Sequence, residues 1–421
     1  MLGKMRRILI HSLIFSPDGV STAYLYNDIA LAFKRKGYDV LVVSTTPHFN
    51  VISEAIEKQP MQWKLLGLYK VSDFKGIKVY HVPQKKFKNT ILRLLGFLYW
   101  HVVSFFLILS IKNVDVILSP SPPLTIGWLN LLLGRLKHSK VVYNVQEIFP
   151  DILFKNKTGL VYKAMSRIEH KIYNYSDAVT TIEQVFYDII VPRFRDKTKL
   201  HIIPNFVDTD LYRPNAGHLD LDSQLFPENN NIKVLYAGNI GFAQDWEPLI
   251  ELAKKTKDAA IEYYVIGEGV RKGFLEERKE HFKLDNLHIL PYQQRELMPQ
   301  ILDYSDIQFI FMNPEMDMQG FPSKVYTVMA CGKPLLICSG DGTPIVNFLK
   351  NVGCAKLVTS HALEKKVPQM VEWLKAITRE ELKEMGEKGA WEIKSKYTKD
   401  IVTKQYVNLV EGLIEPFSES N

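Results

Sequence analysis

The chain has 421 residues, enough for two or three ordinary domains. At 46% hydrophobic and 24% charged it carries ample core material, which excludes a disordered or fibrous protein. Its three cysteines, Cys331, Cys338 and Cys354, lack ligand spacing and sit in apolar surroundings, which excludes a disulfide scaffold or a zinc site and points to reduced core thiols in a cytoplasmic protein. Charge is split: residues 1–205 hold 28 Lys and Arg against 14 Asp and Glu, whereas the remainder holds 25 against 32. A basic half and an acidic half suggest two domains that meet different partners. A basic half suits nucleic acid, anionic lipid or a phosphorylated acceptor, but no helix-turn-helix or RNP pattern accompanies it, which argues against nucleic acid.

The start, MLGKMRRILIH, is basic and then apolar; the apolar run is too short for a secretory leader and reads as a first strand. SPDG breaks it, STAYLYNDIALAFKRKG has a helical pattern ending in glycine, and YDVLVVST is a second strand. This βαβ order predicts a parallel sheet covered by helices. Residues 47–75 are less regular, and the strand IKVYHV follows. Residues 94–111, LLGFLYWHVVSFFLILSI, contain no Asp, Glu, Lys or Arg and follow Lys85, Lys86, Lys88 and Arg93. That is about the minimum length of a spanning helix. A span would separate the strands Arg7–Leu13 and Asp115–Ser119, which read as members of one sheet, so a buried or partly membrane-dipped helix is expected instead.

DVILSPSPP, a helix over 123–136, KVVYNVQE, a helical stretch ending at Tyr175, DAVTTI and HIIPNFVD complete the first half. Prolines bracket a linker, Pro204–Pro214. NIKVLYAG restarts the alternation. Helices are predicted over 245–257, 270–283 and 295–304, with strands IEYYVIG, LHILP and IQFIFM between and after them. The GFPSK turn, a helix to Ala330, the strand KPLLICS, a short helix at 344–351 and a charged helical stretch over 361–414 follow. The predicted domains are residues 1–205, residues 206–397 and a terminal helix, 398–421.

Four segments carry chemistry. In SPDGVST, Gly19 lets the backbone approach a phosphate or sugar at a helix start, or simply makes a strand–helix turn with Ser21 or Thr22 as its cap. The segment is not a GxGxxG fingerprint, and no acidic residue closes the next strand, which argues against NAD. YNVQEIFPD ends a strand, at the edge that faces the ligand crevice of an open α/β sheet. There Gln146 can hold an acceptor hydroxyl and Glu147 can act as a base, or Glu147 or Asp151 can cap the next helix. VLYAGNIG places Gly238, Asn239 and Gly241 where a phosphate fits. In QGFPSKVYTVMACGKP, Lys324 is placed to neutralise a diphosphate leaving group, the plain alternative being a surface lysine beside a helix cap.

This last segment resembles the donor site of retaining GT-B glycosyltransferases of family 4. Their pattern is E-G-F, five residues, a second Glu, then small residues ending in Gly and Pro. Here both glutamates are replaced, by Gln319 and Thr327; the family uses the first near the donor sugar and the second on the ribose hydroxyls. SPDG, NVQEIFPD, PNFVDTDLYRP, GNIGFAQDWE, IGEGV and PSKVY follow the family's order, in a manner similar to colanic-acid and fucosaminyltransferase-like members of bacterial surface-polysaccharide assembly. Many members carry an Arg and a Lys after the glycine turn, where this chain has Asn239, Gln244 and Asp245, and a His where Gln146 falls.

The resemblance implies an α/β GT-B fold: two doubly wound Rossmann-like domains facing a cleft, with a C-terminal helix returning to the N-domain. It places Glu268, Tyr292, Pro322 and Ser323 at the donor together with Gln319 and Thr327, and Gly19 with Gln146 at the acceptor. The implied reaction is a retaining, hexosyltransferase-type transfer without a metal or other cofactor; no DxD stands where a metal-dependent transferase needs it, DTD at 208–210 being in the linker. The expected donor is a nucleotide sugar, UDP-linked, with an N-acetylated or deoxy sugar. The expected acceptor is a lipid-diphosphate-linked saccharide for O-antigen, lipopolysaccharide, capsule or exopolysaccharide, met peripherally at the cytoplasmic face of the inner membrane. A GT-B nucleotide-sugar epimerase and a non-catalytic glycan-assembly scaffold are the competing readings.

Overall fold

The computed structural model describes residues 5–85, 89–154, 158–215, 221–318 and 320–414. The chain divides into two compact units, Met1–Asn205 with Asp400–Asn421, and Phe206–Lys399.

The first unit runs β1 (Arg7–His11), α1 (Ser21–Arg35), β2 (Asp39–Thr45), α2 (Ser53–Lys58), β3 (Gln62–Lys64), β4 (Tyr69–Phe74), β5 (Ile77–Val82), α3 (Thr90–Ser110), β6 (Val116–Ser121), α4 (Leu124–Lys137), β7 (Lys140–Val145), α5 (Leu160–Tyr175), β8 (Ala178–Thr181), α6 (Gln184–Ile190) and β9 (Leu200–Ile202). Its sheet has the order β3-β4-β5-β2-β1-β6-β7-β8-β9. The central strands are apolar on both faces because helices cover both, as parallel sheets require. The order reverses between β1 and β6, so the carboxyl ends of these strands open a crevice.

Two expectations for this unit are corrected. The sheet is not all parallel: the irregular stretch holds β3 and β4, and β4 pairs antiparallel with β5 through a two-residue turn. Lys75 (φ 51°) and Gly76 (φ 77°) are both left-handed, which is what a tight hairpin turn needs. Of the buried and partly membrane-dipped alternatives expected for the apolar helix, the buried one is not met. α3 is long and apolar enough to cross a membrane, yet only 22% of its apolar window is buried. Trp100, Ser104, Leu107 and Ile108 face inward, while Leu94, Leu95, Leu98, Val102 and Phe106 are exposed. Asn89 starts this helix by accepting the Ile91 and Leu92 N–H groups. Of the lysines before it, Lys86 and Lys88 lie outside the described residues.

The second unit runs β10 (Ile232–Ala237), α7 (Glu247–Lys255), β11 (Ile261–Ile266), α8 (Lys272–Phe282), β12 (Leu287–Leu290), α9 (Met298–Tyr304), β13 (Ile307–Phe311), α10 (Lys324–Ala330), β14 (Leu335–Cys338), α11 (Pro344–Leu349), β15 (Ala355–Val358), α12 (Leu363–Ala376), α13 (Arg379–Lys396) and the first residue of α14 (Lys399–Ile414). All pairings in its sheet, β12-β11-β10-β13-β14-β15, are parallel. β15 is four residues long and falls between the predicted helices. The switch in strand order lies between β10 and β13, which puts the crevice of this unit at Ala237 and Phe311.

The proline-bracketed stretch is ordered rather than a bare linker. Val207 pairs with Thr398, and the Lys399 ammonium lies 3.0 Å from Asp208 and 3.2 Å from Asp210. The rest of α14 packs in the first unit, where the Tyr406 hydroxyl accepts from Asn144 Nδ2 at 3.0 Å.

Candidate active site

In the second unit, β10 ends in Tyr236-Ala237 and the chain turns at Gly238 (φ +148°). α10 begins at Lys324 and carries its side chain back to that turn. The ammonium donates to the Ala237 carbonyl at 3.0 Å and lies 3.5 Å from the centroid of the Tyr236 ring. A Cβ on Gly238 would sit 2.6 Å from Lys324 Nζ, so glycine is what admits the ammonium. The lysine as a residue keeps some surface, but its ammonium end is enclosed by the ring, the carbonyl and the turn. Burial pulls its pKa down to about 7. Among the described residues no carboxylate pairs with it, so the cation stands at a crevice with its charge uncompensated.

The turn itself is held by glycines. A Cβ on Gly267 (φ +144°) would meet the Gly238 carbonyl oxygen at 2.0 Å, and one on Gly269 (φ +157°) the Ile240 carbonyl oxygen at 2.3 Å. The ends of β10 and β11 are therefore in backbone contact. Tyr236 donates to the Asn239 carbonyl at 2.8 Å, and Trp246 Nε1 donates to the Gly241 carbonyl at 3.0 Å. Asn239 is exposed, whereas Gly241 is buried. Tyr236, Gly267 and Gly269 join the site only in the structure; their signal in the sequence is the glycine pair flanking Glu268 in IGEGV, matching in its strand-end position the pair in AGNIG.

The remaining donor-side residues divide. Pro322 and Ser323 lead into α10, their carbonyls accepting the Val325 and Tyr326 N–H groups. The Thr327 hydroxyl donates to the Lys324 carbonyl at 2.8 Å, which leaves it only acceptor capacity towards a ligand in this rotamer. Glu268 follows β11 and is paired with Lys272 at 2.7 Å. Tyr292 is 54% exposed beyond β12, two strands from β10 and so about 10 Å across the sheet. Gln319 lies outside the described residues.

In the first unit, Gln146 and Glu147 follow β7. Gln146 Nε2 donates to Asn144 Oδ1 at 2.7 Å and Asn205 Oδ1 at 3.1 Å, and Asn205 Nδ2 returns a bond to Gln146 Oε1 at 2.9 Å. Its amide is thus committed to the chain's own Asn144 and Asn205. Glu147 is half-buried, its carboxylate has no hydrogen-bond partner among the described residues, and burial pushes its pKa above the usual carboxylate range. Asp151 anchors this loop: it accepts from Arg193 at 2.8 Å and Tyr162 at 3.0 Å, while Arg193 also bridges the buried Glu169.

Gly19 is enclosed by its own unit. A Cβ there would meet Ile52 Cδ1 at 2.4 Å and Asn50 Nδ2 at 2.9 Å. The buried Asp18 carboxylate accepts the backbone N–H groups of His48, Phe49 and Asn50, each at 3.0 Å, fixing that loop over the turn.

Two Rossmann-like sheets, each with a crevice at its switch point, define a GT-B architecture, and the comparisons agree. Residues 23–211 match the family model described as Glycosyltransferase Family 4, and residues 220–389 the one described as Glycosyl transferases group 1. Anabaena HepE in complex with UDP superposes with a TM-score of 0.69 at 12% identity, covering 97% of this chain and 100% of that one. Sucrose-phosphate synthase from Thermosynechococcus elongatus gives 0.71 at 13%, covering 97% and 99%. The protein belongs to the GT-B glycosyltransferases.

Among curated relatives, the colanic acid biosynthesis glycosyl transferase WcaI of Escherichia coli (strain K12) is 23% identical over 77% of this chain and 81% of its own length. The glycosyltransferase WbjE of Pseudomonas aeruginosa is 24% identical over 58% of this chain and 62% of its own.

Proposed function

We propose that the protein transfers a sugar from a nucleotide-diphosphate donor to a lipid-diphosphate-linked saccharide in bacterial surface-polysaccharide synthesis. The observation that carries this reading is the Lys324 ammonium at the Gly238 turn, on the strand-order switch of the second unit. An uncompensated buried cation beside a glycine turn is complementary to the charge that develops on a departing diphosphate. A UDP complex of HepE and the colanic-acid role of WcaI support a UDP-linked donor and a polysaccharide product. The identity of the sugar, N-acetylated or deoxy, rests on the resemblance described above.

The transfer proceeds with retention and without a metal ion. The bond from the anomeric carbon to the diphosphate oxygen breaks, the bond to the acceptor oxygen forms on the same face, and the acceptor proton passes to the leaving diphosphate. No protein nucleophile is needed. Lys324 and the turn at Gly238, Asn239 and Gly241 stabilise the leaving group, with Pro322, Ser323, Thr327, Glu268 and Tyr292 around the nucleotide. Glu147 serves the acceptor side. The protein works at the cytoplasmic face of the inner membrane, where the exposed apolar side of α3 meets the lipid surface.

The test is transfer from a panel of UDP- and GDP-sugars to a polyprenyl-diphosphate saccharide, with EDTA present, read by mass spectrometry and by the anomeric configuration of the product. One added sugar of the donor's configuration is expected. Transfer only when a divalent cation is restored would overturn metal independence, and an inverted product would overturn retention.

A further inference from the structure

The first unit carries apolar and cationic side chains in adjacent rows. On α4, Trp128, Leu132 and Leu136 recur every fourth residue and are 46–55% exposed. On α5, Lys163, Arg167 and Lys171 recur at the same spacing, all exposed. Residues four apart lie one above another on a helix, so each row is a single stripe. The stripes meet: Lys171 Nζ lies 5.4 Å from the Trp128 ring centroid, and the Arg135 guanidinium of α4 lies 5.4 Å from the Tyr175 ring of α5.

Between the two helices runs a groove of about 700 Å³ lined by Trp128, Leu132, Arg135, Lys140, Lys171 and Tyr175, among others. Lys140 is paired with Asp177 at 2.9 Å. Among the described residues Arg135, Lys163, Arg167 and Lys171 have no carboxylate partner. α4 also packs against α3, whose exposed Leu94, Leu95, Leu98, Val102 and Phe106 extend the apolar surface.

The groove opens at the amino end of β7, where Lys140 begins the strand. Gln146 and Glu147 follow the carboxyl end, about 20 Å away by strand rise. It is therefore a different place from the acceptor half-site.

We propose that the cationic row of α5 (Lys163, Arg167 and Lys171), together with the α4–α5 groove it borders at Lys171, binds the phosphate headgroups of anionic phospholipids while the α3 and α4 rows enter the acyl boundary of the same bilayer. The proposal rests on the membrane part of the reading above and adds the lipid charge and the residues that select it. An apolar stripe beside an unpaired cationic one needs an occupant that is both apolar and anionic, which an acidic bilayer surface supplies. A second copy fits less well: an isologous contact sets the patch against itself and brings the cationic rows together.

The experiment is co-sedimentation of the full chain with phosphatidylcholine vesicles, alone or containing roughly one-third phosphatidylglycerol. The variants are the triple Lys163→Gln/Arg167→Gln/Lys171→Gln and, separately, Leu95→Gln/Leu98→Gln; circular dichroism and transfer to a water-soluble acceptor check that both fold. Wild type should prefer the anionic vesicles, and the triple variant should lose about fivefold per cation, on the order of a hundredfold in all. The α3 variant should lose binding to both vesicles.

Equal binding by the triple variant and wild type overturns the cationic row as the headgroup site while leaving the membrane reading intact. Equal binding of wild type to both vesicles overturns the anionic headgroup. Binding of wild type to neither overturns both readings.

Discussion

The two units each place a glycine after the first strand of the sheet and before a helix, and the two glycines do different work. At Gly19 the space a side chain would take is filled by the unit's own Ile52 and Asn50, and the turn is closed by a loop that Asp18 gathers through three backbone N–H groups. At Gly238 the same space holds the ammonium of Lys324. One glycine serves packing; the other makes room for a charge. The lesson is that a glycine-marked strand–helix turn signals close approach, and only the tertiary partner says whether the approaching group is a wall or a reactive cation.

The sharpest break of this contrast is Lys324→Met. It removes the cation while keeping an apolar side chain against the Tyr236 ring, and kcat should fall about 10²- to 10³-fold, or about 3–4 kcal/mol of leaving-group stabilisation. Steady-state kinetics check it; a loss confined to KM would mean that Lys324 serves binding alone.

Next comes Gly267→Ala. Its Cβ would meet backbone, the Gly238 carbonyl oxygen at 2.0 Å, at a left-handed φ, so neither side can yield cheaply. The expected cost is about 1–3 kcal/mol of stability together with weakened nucleotide binding. Thermal unfolding and calorimetric titration with UDP read the two effects.

Gly19→Ala should be milder and of another kind. The Ile52 methyl can move, so overpacking of about 1–2 kcal/mol is expected with UDP affinity unchanged. A matched loss of UDP affinity would erase the contrast between the two turns.

The smallest effect is in pH. In the free protein Lys324 loses its proton near pH 7, well below an ordinary lysine. A bound diphosphate favours the charged form, so binding takes up a proton above that pH. UDP affinity should therefore fall with rising pH above about 7, by at most about tenfold per unit, and Lys324→Met should abolish the slope. Stability of the unliganded protein runs the other way. With the folded pKa below the unfolded value, the unfolded chain binds more protons above pH 7, and this residue's contribution to stability rises with pH through that window.

Much of the architecture was legible as pattern. Apolar runs alternating with helical segments that end in glycine announce parallel sheets, because each strand buried on both faces must be continuously apolar and each crossover helix must be one-sided. The strand ends at Ala237 and Val145 were likewise readable, since the residues that follow a parallel strand are the ones that face a ligand. Local chemistry sufficed for these because period and turn residues are properties of neighbouring positions.

What lay beyond the sequence depends on residues far apart in the chain. Lys324 meets Gly238 across 86 positions, and no spacing rule links them. The commitment of Gln146 to Asn205 and the closure of Gly19 by Ile52 also follow from loops brought together by the sheet, and turn two candidate ligand contacts into internal ones. The apolar stretch before Ile111 shows the same limit: composition established that α3 is apolar, but only packing decided that its outer side would stay uncovered, because the sheet offers one surface and a helix apolar all round has more than one side to bury. Sequence thus set the elements and the candidate chemistry, and the tertiary structure decided which side chains converge, since convergence is a matter of topology and local pattern carries no record of it.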